Sequence, residues 1–198
     1  MEWSYYILYT YIHIFMVLVE SKTKPNKRIA PNFNLLGVDG KQYTLENFKD
    51  KKWLAIIFTC NHCPYAIASW PVIQQLADTY TDIWCITISS NDARYITEDG
   101  YVHMQSLSKK LWLHFPYLYD ETQEIAKAYD AVCTPDNYLF KNNNWRFELF
   151  FHGRFNNSRR DPSMVTSKDF EEHIVKLLNN EGADDTWIPS IWCSIKRK

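Results

Sequence analysis

The sequence predicts an α/β fold in which a mixed sheet carries helices on both faces. Three features predict it. Two apolar runs, 52–59 (KWLAIIFT) and 83–88 (IWCITI), have the length and composition of strands buried on both sides. Segments with apolar residues at helical spacing alternate with them, as crossover connections between parallel strands require. Two further strands, 137–141 and 145–151, are joined by Asn142-Asn143-Asn144, residues that tolerate the left-handed region of a hairpin turn.

Taken in order, residues 3–19 carry no formally charged side chain and are mostly apolar or aromatic. Three readings compete for residues 1–20: an N-terminal extension, with Met16 as an alternative start; a membrane anchor of marginal length flanked by Lys22, Lys24, Lys27 and Arg28; and a signal peptide. The last lacks a basic start and a small-residue cleavage site. Residues 21–32 are polar and proline-bearing and read as an entry loop. The expected division is an extension and linker over 1–27 and one domain over 28–198.

A short strand at 33–38 precedes the Asp39-Gly40 turn, and 43–48 suggests a strand or helical turn. After the first buried run comes a helix over 64–80, with Pro71 inside it as a kink. The second buried run leads into the loop Ser89-Ser90-Asn91-Asp92, then an amphipathic helix at 99–113. An extended piece at 116–119 and a helix at 121–129 with an acidic first turn follow. The last helix is expected at 166–179, capped by Thr166 or Ser167, before an irregular tail.

With 198 residues the chain predicts one domain and can bury a core without disulfide staples. Hydrophobic residues at 46% and charged residues at 23% exclude disorder, collagen and coiled coil for most of it. Lys plus Arg number 22 against 23 Asp plus Glu, so the basic surplus of a nucleic-acid binder is missing. Only five glycines are present, and neither GxGxxG nor a P-loop pattern occurs.

The chemistry centres on Cys60-Asn61-His62-Cys63, which ends the first buried strand and opens the next helix. Unpaired amides and the positive dipole end at a helix start favour a thiolate, here assigned to Cys60 as nucleophile. Cys63, one turn on, is the expected resolving thiol. His62 beside the pair favours the ionised form and a more oxidising couple. Two bland readings stand beside this one: half of a zinc site, for which the chain lacks a second CxxC or a spaced His pair, and packed core cysteines. A CxxC next to a βαβ pattern favours redox chemistry over both.

These stretches also carry a resemblance. Ala30-Pro31-Asn32-Phe33, Phe58-Thr59-Cys60-Asn61-His62-Cys63-Pro64-Tyr65-Ala66, Ser90-Asn91-Asp92, 115–129 (FPYLYDETQEIAKAY), 132–135, Gly153-Arg154 and Cys193-Ser194-Ile195-Lys196 resemble the AhpC/TSA-type redoxins, thioredoxin-fold relatives of the peroxiredoxins. The resemblance implies a thioredoxin fold with a peroxiredoxin-like N-terminal extension. It implies Pro135 in the cis form, turning the Thr134 backbone toward the thiols where an incoming peptide pairs with it. It also implies thiol–disulfide or antioxidant chemistry at Cys60 and Cys63. Three departures matter. Cys60 fills the slot of the threonine that peroxiredoxins carry three residues before their reactive cysteine, which favours disulfide exchange over peroxidase chemistry. Leu54 stands where thioredoxins bury an aspartate, and Thr59 where they carry a tryptophan.

The function expected is that of a thiol–disulfide oxidoreductase acting on protein or low-molecular-weight disulfides and thiols. A thiol peroxidase and a non-catalytic redox-sensing module are the alternatives. No nucleic acid, prosthetic cofactor or metal is expected, and a membrane only if residues 1–20 form an anchor. The cytoplasm is the expected compartment, an anchored extracytoplasmic domain the alternative. Cys133, beside Thr134-Pro135, is either a third redox thiol or a packed one, the packed role being favoured. Cys85 is expected in the core, while Cys193 is open between an exposed and a resolving thiol. Arg154, Arg159 and Arg160 read as a solvated loop, Asn91-Asp92 as a cap, and His103, His114, His152 and His173 as surface or satisfied core.

Overall fold

The computed structural model describes residues 18–21, 29–158, 162–183 and 188–198. Among the described residues ten strands and four α-helices follow in chain order. The strands are β1 (Leu18–Glu20), β2 (Asn34–Gly37), β3 (Gln42–Thr44), β4 (Trp53–Thr59), β5 (Ile83–Ser89), β6 (Tyr117–Tyr119), β7 (Cys133–Thr134), β8 (Asp136–Asn143), β9 (Arg146–Gly153) and β10 (Ile191–Ser194). The helices are α1 (Pro64–Thr79), α2 (Tyr101–Leu111), α3 (Glu124–Ala128) and α4 (Asp169–Leu178).

Seven strands form the main sheet in the order β3-β2-β6-β5-β4-β8-β9. The two apolar runs lie at its centre, where β4 pairs parallel with β5 and antiparallel with β8. Alternation sends Leu54, Ile56 and Phe58 to one face and Ala55 and Ile57 to the other, and all five are buried. The second face packs against Trp70 and Ile73 of α1, Met104 of α2, and Phe170, Ile174 and Leu177 of α4. The first face is covered by Ala126 of α3 together with Phe33, Phe48 and Tyr129. The sheet thus carries helices on both sides, which is why its central strands lack polar alternation.

α1 opens with Pro64 at its first position, where the missing N–H is no loss, and it continues through Pro71. Several boundaries differ from the sequence reading. The hairpin strands run to Asn143 and from Arg146, so Asn144 and Trp145 make a two-residue turn, both with positive φ (50° and 68°). A two-residue turn of that kind matches the twist of the strands, and the asparagines 142 and 143 are drawn into the ladder. The helix expected at 121–129 shortens to α3, because Gln123 stands at φ 64° before it. α4 starts at Asp169 with Lys168 at its N-cap, and the Ser167 hydroxyl bonds Asp169 instead of a helix amide.

The largest difference is the tail, which contains a strand. β10 pairs antiparallel with β1 on one side and β7 on the other, making a second sheet of order β1-β10-β7. Leu18–Glu20, counted in the extension by the sequence, therefore belongs to this sheet. The remainder of the extension, residues 1–17, lies outside the described residues. Among the described residues no helix is long and apolar enough to cross a membrane.

Candidate active site

The site forms where β4 ends. Thr59 is the last strand residue, Cys60 follows it, and Cys63 is the N-cap of α1 in extended conformation (φ −67°, ψ 126°). The strand direction is fixed by burial and the helix start by Pro64, so the two cysteines flank one tight bend. Both sulfurs belong to fully buried residues. Opposite them lies the Thr134–Pro135 peptide, which is cis. The Thr134 hydroxyl oxygen is 3.3 Å from Cys60 Sγ, and the Thr134 carbonyl oxygen is 4.0 Å from Cys63 Sγ.

The two thiols are electrostatically unequal. Hydrogen bonds from the Cys193 and Cys60 thiols, joined by the backbone amides of Ala66 and Tyr65, hold Cys63 down to about 3 from its ordinary 9.0, against burial. Burial, then the bond to Cys63 and the charge of Asp99, push the Cys60 thiol well above its ordinary value. The thiol held lower is thus Cys63, where the sequence reading assigned the thiolate to Cys60. The helix begins at Pro64, so its free amides and positive end serve the N-cap sulfur, Cys63, and Cys60 lies outside their reach as donors.

The bend is held by the loop that follows β5. Asp99, fully buried, accepts from the Asn61 amide at 2.7 Å, from His62 Nδ1 at 2.5 Å and from Asn91 Nδ2 at 2.7 Å. Asn61 donates to the Glu98 carbonyl and accepts from the Tyr117 hydroxyl. One ligand atom each from Cys60, His62 and Asp99 lie within 4.8 Å of one another, a group that could hold a metal ion. Both Asp99 oxygens are engaged by N–H donors, and Asp99 thereby fixes the His62 ring within 4.8 Å of the Cys60 sulfur.

Five residues around the thiols close an apolar cluster: Tyr65, Ala66, Cys133, Trp192 and Cys193 pack with Cys60 and Cys63. Tyr65 and Trp192 meet ring to ring at 5.4 Å. Beyond them opens a cleft of about 190 Å³ that reaches Pro135, Val72 of α1, Phe155 and Lys168. Tyr65, Trp192 and Pro135 thus stand between the thiols and that cleft.

Residues 27–145 match the AhpC/TSA family. The chain belongs to the AhpC/TSA family. Two solved structures are similar over most of their length. An uncharacterized conserved protein from Geobacillus kaustophilus is 38% identical, with a TM-score of 0.85 over 92% of this chain and 97% of that one. A hypothetical protein from Sinorhizobium meliloti is 31% identical, with a TM-score of 0.83 over 92% and 99%. The fold is the thioredoxin fold. An exposed lipoprotein thioredoxin of Streptococcus pneumoniae, 20% identical, shares it at a TM-score of 0.55 over 76% of this chain and 99% of that one. So does a putative thiol:disulfide interchange protein from Chlorobium tepidum, 16% identical, at 0.59 over 79% and 98%. Among curated proteins none matches.

In this AhpC/TSA chain the structure brings Cys60, His62, Cys63, Cys133, Thr134 and Pro135 together, and adds Asp99 and Cys193. Cys133 points its sulfur at the Pro135 and Ser190 carbonyls, 3.9 and 3.8 Å away, and burial raises its thiol well above the ordinary value. Cys193 is neither exposed nor remote, since β10 buries it against Cys63. Asn91 is more than a cap: it ties Asp99 to the tail through the Lys196 amide. Arg154 is no solvated loop residue but bonds Asp169 at 2.7 Å, while Arg159 and Arg160 lie outside the described residues. Cys85 is buried in the core, and His152 is buried against Asp136 at 2.7 Å. Asp99 carried one usable signal, an acidic residue before a helix start, which by itself points to capping.

Proposed function

We propose that the chain is a thiol–disulfide oxidoreductase in which Cys63 is the attacking thiolate and Cys60 the resolving thiol. The observation that carries this is the Cys63 sulfur at the N-cap of α1, taking the Tyr65 and Ala66 amides and facing the cis Thr134–Pro135 bend. The Cys63 thiolate attacks a substrate disulfide, giving a mixed disulfide and releasing one substrate thiolate. Cys60 then loses its proton and attacks the Cys63 sulfur. A Cys60–Cys63 disulfide forms and the second substrate thiol departs. His62, oriented by Asp99 and close to Cys60, is placed to take that proton. It supplies the proton transfer for which Leu54 has no group. The substrates proposed are protein or low-molecular-weight disulfides.

A second reading rests on the same thiolate. At an N-cap, three residues after Cys60, Cys63 can be oxidised by a peroxide to a sulfenic acid with loss of hydroxide, and Cys60 then condenses with it, releasing water. Stopped-flow oxidation of the reduced protein by hydrogen peroxide and by a model protein disulfide separates the two, with tryptophan fluorescence as the signal. Fast reaction with the disulfide, slow reaction with peroxide and a Cys60–Cys63 product are expected. Fast reaction with peroxide alone puts the peroxidase first, and reaction with neither leaves a redox-sensing or structural module. The variant carrying both Cys60→Ser and Cys193→Ser should trap a mixed disulfide on Cys63, and Cys63→Ser should abolish exchange. Full activity in Cys63→Ser refutes the assigned roles.

A further inference from the structure

The edge of the cis-proline bend, where the Thr134 backbone faces the thiols, is not free. β10 fills it as an antiparallel strand, with Cys193 directly opposite Thr134 and Ser194 opposite Cys133. That is the place and direction in which an extended peptide adds to a strand edge. The strand that fills it carries a cysteine at the register position facing the pre-proline residue. The Cys193 side chain packs with Cys63 in one buried apolar cluster, and its thiol helps to hold Cys63 below the ordinary value.

The tail is fixed firmly enough to hold that register. The Ile195 amide bonds the Val132 carbonyl, Lys196 bonds Asn91 and the Asp92 amide, and Gln123 holds the Lys196 carbonyl and the Lys198 amide. On the other side β1 pairs Leu18 with Cys193. Cys133 is close as well, but its sulfur is turned to the Pro135 and Ser190 carbonyls.

We infer that Cys193 is a redox thiol of this site, carried on a strand that acts as a built-in substrate, and that the Cys60–Cys63 disulfide exchanges internally to Cys63–Cys193. The inference rests on Cys60 and Cys63 being a redox pair. In the exchange the Cys193 sulfur attacks Cys63. The Cys63–Cys193 bond forms as the Cys60–Cys63 bond breaks, and the Cys193 proton passes to Cys60. No electrons enter or leave, so no further oxidant is needed. One thiol of the three stays reduced, and Cys60 becomes free beside His62.

The test uses the full chain as wild type, Cys60→Ser, Cys193→Ser and the double variant, each equilibrated in glutathione redox buffer. The samples are quenched with acid, alkylated and mapped by mass spectrometry without reduction. Cys60→Ser is expected to hold a Cys63–Cys193 bond. The double variant is expected to accumulate roughly 100-fold more Cys63–glutathione mixed disulfide, because a tethered thiol acts at a far higher effective concentration. Glutathione retained on Cys63 of Cys60→Ser, with Cys193 alkylated, overturns the inference, as does a bond from Cys63 to Cys133. Should Cys60→Ser lose its circular dichroism spectrum, the wild type decides. A peptide joining Cys63 to Cys193 supports the exchange, and Cys60–Cys63 alone at every glutathione ratio overturns it. Failure of the underlying pair is seen separately, as absence of a Cys60–Cys63 bond in Cys193→Ser.

Discussion

Replacing Asp99 by asparagine tests the frame that shapes the thiol bend. The side chain keeps its size but loses one acceptor oxygen. Asp99 is fully buried and accepts three N–H donors: the Asn61 amide on Oδ1, and both His62 Nδ1 and Asn91 Nδ2 on Oδ2. If the asparagine oxygen keeps Asn61, its NH₂ meets the other two donors. His62 can change tautomer and accept. Asn91 cannot flip without breaking its Oδ1 bond to the Lys196 amide. One charge-assisted bond is lost, about 1.5–3 kcal/mol, and one buried donor is left facing another, about 1–3 kcal/mol. Partial relaxation brings the expected loss to roughly 3 kcal/mol, a sizeable part of the 5–15 kcal/mol a domain of this kind has. The same change removes a charge that raises Cys60, so that thiol should ionise at lower pH. Urea unfolding followed by tryptophan fluorescence reads the first effect, and thiolate ultraviolet absorbance against pH in a Cys63→Ser background reads the second. Stability within about 0.5 kcal/mol of wild type, the usual spread for surface changes, together with an unmoved Cys60 titration, would refute the frame.

Two further outcomes follow from other parts of the molecule. With Cys63 held to about 3 against an ordinary 9.0, the folded reduced chain binds fewer protons there than the unfolded chain between those values. The stability it contributes is therefore complete above about 9 and falls as pH drops toward about 3. The stability gap between the reduced wild type and Cys63→Ser should narrow from pH 8 to pH 5 while thiolate absorbance persists at pH 5, and a gap that widens on acidification contradicts the assignment. In the β8–β9 turn, Trp145 is exposed and sits at φ 68°, with Lys49 Nζ 5.8 Å from its ring centroid. Trp145→Gly relieves about 1 kcal/mol of left-handed strain and gives up about 0.5 kcal/mol of exposed cation–π contact. The melting temperature should rise by roughly 1–2 °C, and a clear fall would show that the tryptophan is held by contacts beyond Lys49.

Much of this protein was legible in the chain itself. The runs at β4 and β5 announced central strands because burial on both faces leaves no polar alternation to disguise them. Cys60 and Cys63 were legible as a pair because strand, bend and helix start are all local, and Pro64 marks the helix entry. The same locality leaves the choice of nucleophile open. A shift of one turn decides which sulfur caps the helix, and sequence patterns place helix ends only to within a few residues.

Tertiary structure decided the rest. Asp99 reaches His62 across 37 residues, in the loop after β5, and an acidic residue before a helix looks like a cap until the fold turns it inward. The hairpin turn fell on Asn144 and Trp145 because the register of β8 with β9 placed it there. β10 is the clearest case. Four residues are too few for a periodic signal, and strands added at an edge are bound by backbone groups that every residue has. Nothing in Ile191–Ser194 announces a strand, yet its pairing with β7 sets Cys193 against Cys63. Composition and local spacing determined which chemistry the chain can perform. Long-range pairing determined what surrounds each sulfur, that Asp99 holds His62, and which third thiol stands beside the pair, because burial and hydrogen-bond geometry exist only once distant segments meet.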